Sequence, residues 1–368
     1  MLTKTLEKLQ EAATPTVFYI TGGGSEVIST LLNRGGASSF FLDAQVPYSH
    51  VCFTQLLNGY KPNKFCSPEA SRQLAVCAYE RAQMISGHSN VIGVGATSSL
   101  RKNGIERIGR EHKIYVSIHG KQQTTSHTVL LKYGDRHEQE RVASQTILKA
   151  YAEYLNVSCL NPSIDTDEFW GSETAPTTWD MDKQGKFYVP LCKEPYGHPG
   201  QNALIFPGSF NPAHDGHIKV ARKAYELAGK PVWFEISIRN CSKPSVDWIS
   251  CRNRIDSFSK YESDPALGGI VLTQEPLFVK KSRLFPGATF IVGMDTLNRI
   301  DDYKYYDTNN EYVNAINEMV HRGVNFLAFN RKGVLRKPYK HIGMERMVQV
   351  IDDYEDAGEN STEIRSNT

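Results

Sequence analysis

The segment Gly208-Ser209-Phe210-Asn211-Pro212-Ala213-His214-Asp215-Gly216-His217 concentrates residue types that handle phosphate. Gly208 lets a backbone approach a phosphate closely, because it has no Cβ. Gly216 keeps a helix entrance clear of side chains. The unpaired N–H groups of such an entrance, together with the helix dipole, attract anions. His214 and His217 are three residues apart, so they share one helix face and can point at one anion. Residues of these types at this spacing fit the binding of a phosphate group.

These residues need a strand before them and a helix after them. Residues 203–206 read as that strand and 216–228 as that helix. The alternation continues with strands at 232–238, 269–272, 289–292 and 326–329, and helices at 248–261 and 311–322. Short apolar strands separated by helices predict a doubly wound, Rossmann-like parallel sheet over 202–368. In such a sheet ligands bind at the C-terminal ends of the strands, where the decamer lies.

Residues 1–155 carry a second α/β pattern. Strands are predicted at 15–20, 91–94 and 114–118. Helices are predicted after Gly22-Gly23-Gly24, at 68–85 and at 138–155, giving a layered domain with a mixed sheet. Between the domains, 156–201 loses periodicity and is punctuated by Pro and Gly, so it reads as a linker. Its Trp170, Trp179, Phe187 and Tyr188 predict that it packs on a domain surface, since a disordered tether has little use for aromatics.

Composition narrows the function classes. The chain of 368 residues is 40% apolar and 22% charged, as soluble two-domain proteins are. A net charge of +2 gives no overall field for nucleic acid or an anionic membrane. No stretch reaches the roughly 18 apolar residues of a transmembrane helix. Leu2, Leu6 and Leu9 among Lys and Glu make an amphipathic N-terminal helix and not a signal peptide. The 7 cysteines form no C-x-x-C pair, which predicts reduced thiols and a cytoplasmic setting.

The decamer resembles the H-x-G-H signature of the nucleotidyltransferase superfamily. Two further segments follow in the expected order. Phe290-Ile291-Val292-Gly293-Met294-Asp295-Thr296 resembles the G-x-D strand end of the nicotinamide and nicotinate mononucleotide adenylyltransferases. Ser361-Thr362-Glu363-Ile364-Arg365 resembles their S-T-x-I-R motif. The loop 237–244, with Lys243, is similar to the place where such enzymes hold the acceptor or ATP. The resemblance implies that a pyridine mononucleotide phosphate attacks the α-phosphorus of ATP and that pyrophosphate leaves. It makes His214, His217 and Arg365 catalytic. It gives nucleotide contacts to Gly208, Ser209, Phe210, Gly216, Lys243, Gly293, Asp295, Ser361 and Thr362. Asp295 would take a ribose hydroxyl or help place the nucleotide. Ser361 and Thr362 would cap a phosphate-binding helix, and Arg365 would fork onto the β- and γ-phosphates. Mg²⁺ would ride with the triphosphate. Only three residues follow Arg365, too few for a full helical turn. The chain is therefore cut short as given, or another part of the protein holds the motif. Two alternatives stay open: another acceptor, such as pantetheine phosphate or a CTP-activated alcohol phosphate, and a non-catalytic nucleotide sensor.

The first domain resembles the CinA C-terminal family of nicotinamide-nucleotide amidohydrolases through Thr21-Gly22-Gly23, 36–41, Pro47-Tyr48-Ser49 and 66–70. The family's E-S-C-T-G-G loop places its serine nucleophile where this chain has Tyr19. Its activating lysine is replaced by Phe53. Its T-G-I-A-G-P loop has become Ile92-Gly93-Val94-Gly95-Ala96-Thr97. The resemblance therefore implies a retained shell with altered chemistry, left to bind a nucleotide or to mediate oligomerisation; Ser25 or Thr21 is the remaining candidate nucleophile.

Overall fold

A computed structural model describes residues 2–33, 35–102, 111–132, 134–157, 170–176, 185–191, 198–239, 243–330 and 333–352. The chain divides into two compact units. One is Met1–Thr178 with Ser242–Ser250; the other is Trp179–Cys241 with Cys251–Thr368.

The first unit runs α1 (Leu2–Ala12), β1 (Thr16–Thr21), α2 (Glu26–Leu32), β2 (Phe41–Gln45), α3 (His50–Leu56), α4 (Pro68–Ser86), β3 (Ile92–Ser99), β4 (His112–Gly120), β5 (Gln123–Leu131), α5 (Arg136–Tyr154) and β6 (Trp170–Pro176). The sheet order is β2-β1-β3-β4-β5-β6. β1 pairs in parallel with β2 and β3, and the later pairs are antiparallel, so the sheet is mixed as expected. All six residues of β1 are buried, as a central parallel strand requires.

Helix α4 starts cleanly because Ser67 accepts from the Ala70 N–H and Pro68 sits in the first turn. Its inner face is small: Ala70, Ser71, Ala75, Ala78 and Ala82. That face meets glycines on β3. A Cβ on Gly93 would lie 2.0 Å from the Ala75 carbonyl oxygen, and one on Gly95 would lie 2.2 Å from that of Ser71. The strand expected at 91–94 runs on through the residues set against the family's glycine-rich loop, and its glycines serve close helix packing.

Three strands of this unit, β2, β5 and β6, were not visible in the sequence. β5 reads as surface because it is Thr-, Ser- and His-rich, yet Thr124, Thr125, Ser126 and His127 are buried. β6 lies within the expected linker and completes the first sheet against β5.

The second unit contains β7 (Phe187–Pro190), β8 (Leu204–Pro207), α6 (Asp215–Ala228), β9 (Val232–Ser237), α7 (Trp248–Asp256), β10 (Leu267–Thr273), α8 (Phe278–Leu284), β11 (Thr289–Gly293), α9 (Met294–Ile300), α10 (Asn309–His321), β12 (Asn325–Phe329), α11 (Ile342–Met347) and β13 (Val348–Ile351). The first residues of α7, Trp248–Ser250, cluster with the first unit. The sheet order is β13-β12-β11-β8-β9-β10-β7. Six strands are parallel. β7, also from the expected linker, adds an antiparallel edge to β10. The helix expected to reach 261 stops at Asp256, and only a single 3₁₀ turn, Ser259–Tyr261, follows.

Strand order reverses beside β8: β9 and β10 extend one way, and β11, β12 and β13 the other. This is the topological switch point, where ligand crevices open at strand C-termini. One face packs Ile205, Phe290, Val292 and Phe326 against α9, α10 and α11. The other stacks Phe206, Phe210, Phe234 and Phe258 at ring separations of 4.7–5.7 Å. None of the described helices is long and apolar enough to cross a membrane.

Candidate active site

β8 ends at Pro207, and the decamer carries the chain from there to α6. The Gly208 N–H donates to the Glu235 carbonyl of β9 (3.0 Å), which keeps the loop entrance aligned with the sheet. The Ala213 N–H donates to Ser257 Oγ (2.9 Å), whose own hydroxyl donates to the Arg254 carbonyl (2.6 Å). The loop is therefore pinned at both ends before the helix begins.

His214 is the N-cap of α6 in extended conformation, and His217 lies in the first turn. Their ring centroids are 3.7 Å apart with planes tilted by 35°. The His214 backbone N–H donates to His217 Nδ1 (3.2 Å). A neutral His217 ring with Nδ1 accepting carries its proton on Nε2, ready to donate outward. His214 is buried at 8% exposure, whereas His217 is half-buried. The pair thus sits where the helix N-terminus also favours negative charge.

The Phe210 side chain is 1% exposed and packs edge-on against His217 at 4.9 Å, so it backs the histidine ring. The reason for Gly208 changes with it. A Cβ there would lie 2.5 Å from Phe210 Cζ, so the glycine admits the aromatic ring. Ser209 is exposed and Gly216 half-exposed at the helix start.

β11 lies beside β8, with Thr289 opposite Leu204 and Phe290 opposite Ile205. Continuing that register sets Gly293 level with Gly208. Gly293 caps α9, and Asp295 in its first turn pairs with Arg299 at 3.3 Å. Asp301 at the end of α9 is fixed by the Tyr312 hydroxyl (2.6 Å) and the Lys340 N–H (2.7 Å), which holds the helix in place. The structure therefore brings Gly208, Ser209, Gly216, His214 and His217 together at one strand end and sets Gly293 and Asp295 at the next. Lys243 is not gathered with them. It belongs to Ser242–Ser250 of the first unit, with its ammonium 5.4 Å from the centre of the Tyr60 ring. Ser361, Thr362 and Arg365 lie outside the described residues.

Several contributors were not singled out from the sequence. Asp215 accepts from the Tyr261 hydroxyl and lies 3.6 Å from Lys260, and these partners hold its carboxyl below the usual range. Glu235 on β9 pairs with Lys281 of α8 at 2.5 Å and accepts from the Thr273 hydroxyl, all three buried. A lone Glu inside Val232-Trp233-Phe234-Glu235-Ile236 was the available signal, because a buried charge requires a partner.

The first unit offers a second glycine-rich turn, after β1. Gly24 N–H (2.9 Å), Ser25 N–H (2.8 Å) and Ser25 Oγ (3.0 Å) all donate to one oxygen of Glu140. The adjoining cavity, about 520 Å³, is lined by Thr21, Gly22, Tyr48, Arg136, His137 and Glu140 among others. Tyr19, at the family's nucleophile position, is 2% exposed, and burial pushes its hydroxyl up to about 12. Phe53 is 2% exposed in the core. Thr21 Oγ1 donates to the Pro47 carbonyl (3.1 Å).

Residues 205–367 match the cytidylyltransferase-like family. A probable nicotinate-nucleotide adenylyltransferase of Parvibaculum lavamentivorans is 36% identical over 70 residues, which are 19% of this chain and 35% of that protein. The chain thus spans about a third of the curated relative it matches. Among solved structures, a competence/damage-inducible protein of Agrobacterium tumefaciens matches 42% of this chain and 95% of its own, at 17% identity and a TM-score of 0.33. A competence-damaged protein (CinA) superfamily protein of Escherichia coli matches 42% and 88%, at 16% identity and a TM-score of 0.34.

Proposed function

We propose that this chain, whose C-terminal part is cytidylyltransferase-like, transfers the adenylyl group of ATP to nicotinamide or nicotinate mononucleotide and releases pyrophosphate. The observation that carries the reading is the His214–His217 pair, 3.7 Å apart at the N-terminus of α6, beside the switch point of a parallel sheet. The 70-residue similarity to a probable nicotinate-nucleotide adenylyltransferase supports the choice of acceptor.

In the reaction, an oxygen of the mononucleotide phosphate attacks the α-phosphorus of ATP. The bond from that phosphorus to the α–β bridging oxygen breaks, and pyrophosphate leaves with the electron pair. Negative charge grows on the α- and bridging oxygens. On this reading His217 Nε2–H, the His214 ring and the N–H groups of α6 would donate to it. Mg²⁺ carried by the triphosphate would neutralise part of its charge. Ser361, Thr362 and Arg365 would hold the leaving pyrophosphate. Asp295, at the β11 end, would hold a ribose hydroxyl.

The family match favours one second reading, transfer of a cytidylyl group to an alcohol phosphate. One assay separates the two. Pyrophosphate release is followed with Mg²⁺ and ATP against each pyridine mononucleotide and pantetheine phosphate, and with CTP against phosphocholine or glycerol phosphate. Turnover of ATP with a pyridine mononucleotide supports the proposal and fixes the acceptor. Turnover only with CTP replaces it, and silence throughout removes both.

A further inference from the structure

His214 is bracketed by residues from a later part of the same unit. The turns that follow α7, residues 257–261, touch the residue before it, the residue after it and the ring behind its partner. Ser257 Oγ accepts from the Ala213 N–H (2.9 Å) and passes its own hydrogen to the Arg254 carbonyl (2.6 Å), so the serine is oriented before it meets the loop. The Tyr261 hydroxyl donates to the Asp215 carboxylate, and the Lys260 ammonium lies 3.6 Å from the same group. Between them the Phe258 ring lies 5.4 Å from Phe210, which is itself edge-on to His217. Backbone bonds order the segment: the N–H groups of Ser257, Phe258 and Tyr261 donate to the carbonyls of Asn253, Ile255 and Phe258 at 2.8–3.2 Å. The exposed Lys260–Asp215 pair contributes little by itself. Ser257 matters more, because Ala213 is only 4% exposed and water is a poor substitute for the lost acceptor.

We propose that residues 257–261 are a positioning clip for the histidine pair. Ser257 and Tyr261 fix the backbone on either side of His214, and so hold its ring against that of His217 in the arrangement the reaction would use. The proposal rests on the adenylyltransferase reading and deepens it. Ser257 and Tyr261 are positioning residues, acting through His214. The clip has a second effect. Asp215 brings a negative charge into the first turn of α6, beside the two imidazoles, and Tyr261 with Lys260 keeps that charge from standing unmatched against a triphosphate. Donors that act only as charge develops are sensitive to small displacements, so loosening the clip lowers kcat and kcat/KM together and leaves KM in place.

The test uses the full chain with Ser257→Ala and Tyr261→Phe, with Ser257→Thr as the conservative control, and with Ser257→Ala repeated in a His214→Ala background. Initial rates with ATP and each pyridine mononucleotide are one readout. Imidazole ¹H–¹⁵N spectra without substrate are the other. Ser257→Ala should lower kcat about tenfold and Tyr261→Phe about threefold, with both KM values within about twofold of the parent. Ser257→Thr should keep most of the parent rate. In the His214→Ala background Ser257→Ala should change kcat less than about twofold, because the ring it positions is gone. A serine that only stabilises the fold would cost the same factor in both backgrounds, and that result overturns the proposal. So does a folded Ser257→Ala chain with the parent kcat. The spectra decide the clip apart from the rates. The His214 and His217 signals, single in the parent, should broaden or split in Ser257→Ala, and unchanged signals overturn the proposal. A parent silent with both mononucleotides, whose signals still respond to Ser257→Ala, removes the function reading and supports the clip.

Discussion

Two glycine-rich turns in this molecule begin alike and end differently. Each follows a buried parallel strand and leads into a helix, Gly22–Ser25 after β1 and Gly208–His217 after β8. In the first, the turn's N–H groups converge on the chain's own Glu140 carboxylate. In the second, two histidine rings meet at the helix start, backed by Phe210 and pinned through Ser257. A turn that can hold an anion is thus not in itself a site. What distinguishes the two is the kind of side chain that meets the turn, a carboxylate in the first and a hydroxyl in the second, and sequence spacing does not report that.

The largest expected effect tests the second turn. His217→Ala should lower adenylyl-transfer turnover about 10²–10³-fold, the scale for removing one transition-state donor. A loss below about tenfold in steady-state rates would leave the two turns catalytically equivalent.

The next effect belongs to the first unit and depends on pH. Burial pushes the imidazoles of His119 and His127 down to about 4 from an ordinary value near 6.5. Their neutral forms are favoured in the fold, so the unfolded chain binds the protons first as pH falls. The stability they contribute is fully present above about 6.5 and is lost as pH drops toward 4, at most about 3 kcal/mol for each. Urea unfolding followed between pH 7.5 and 4.5 should show this loss, and His127→Asn should flatten the profile. An unchanged midpoint across that range would mean the buried imidazoles are not neutral guests of the first unit.

Gly208→Ala comes third. Its Cβ must displace Phe210, which is walled in by Phe206, Phe234 and Phe258, at a cost of about 1–3 kcal/mol. Combining it with Phe210→Leu should return much of the lost melting temperature. If the double variant melts no higher than Gly208→Ala alone, the glycine is there for another reason.

Glu140→Gln is the mildest change. The amide oxygen can still accept from Gly24 and Ser25, but the charge assistance is gone, so a loss of about 1 kcal/mol is expected in thermal melting. A more stable variant would show that the carboxylate is strained in the turn, and the contrast between the two turns would need another cause.

Much of the second unit was legible because its signals are local. Short apolar strands such as Val232–Ser237 and the His214–His217 spacing are properties of neighbouring residues, and helical geometry brings those two rings to one face. Strands β2, β5, β6, β7 and β13 were not legible. β5 buries hydroxyls and imidazoles that look like surface, while β6 and β7 are edges whose pairing partners lie elsewhere in the chain. The packing of Phe210 was not legible for a related reason. Its neighbours in sequence suggest a nucleotide loop, but the space around it is filled by rings from β8, β9 and the segment after α7.

The sequence by itself determined the α/β class, the alternation that makes the second sheet largely parallel, and the placing of two histidines at the start of α6. All three follow from short-range periodicity and backbone sterics. Only the tertiary structure decided that Glu140 fills the first glycine turn, that Gly208 makes room for an aromatic ring, and that Lys243 travels with the first unit. Each of these is a meeting of residues joined by packing and charge, fixed only when the chain has folded around them.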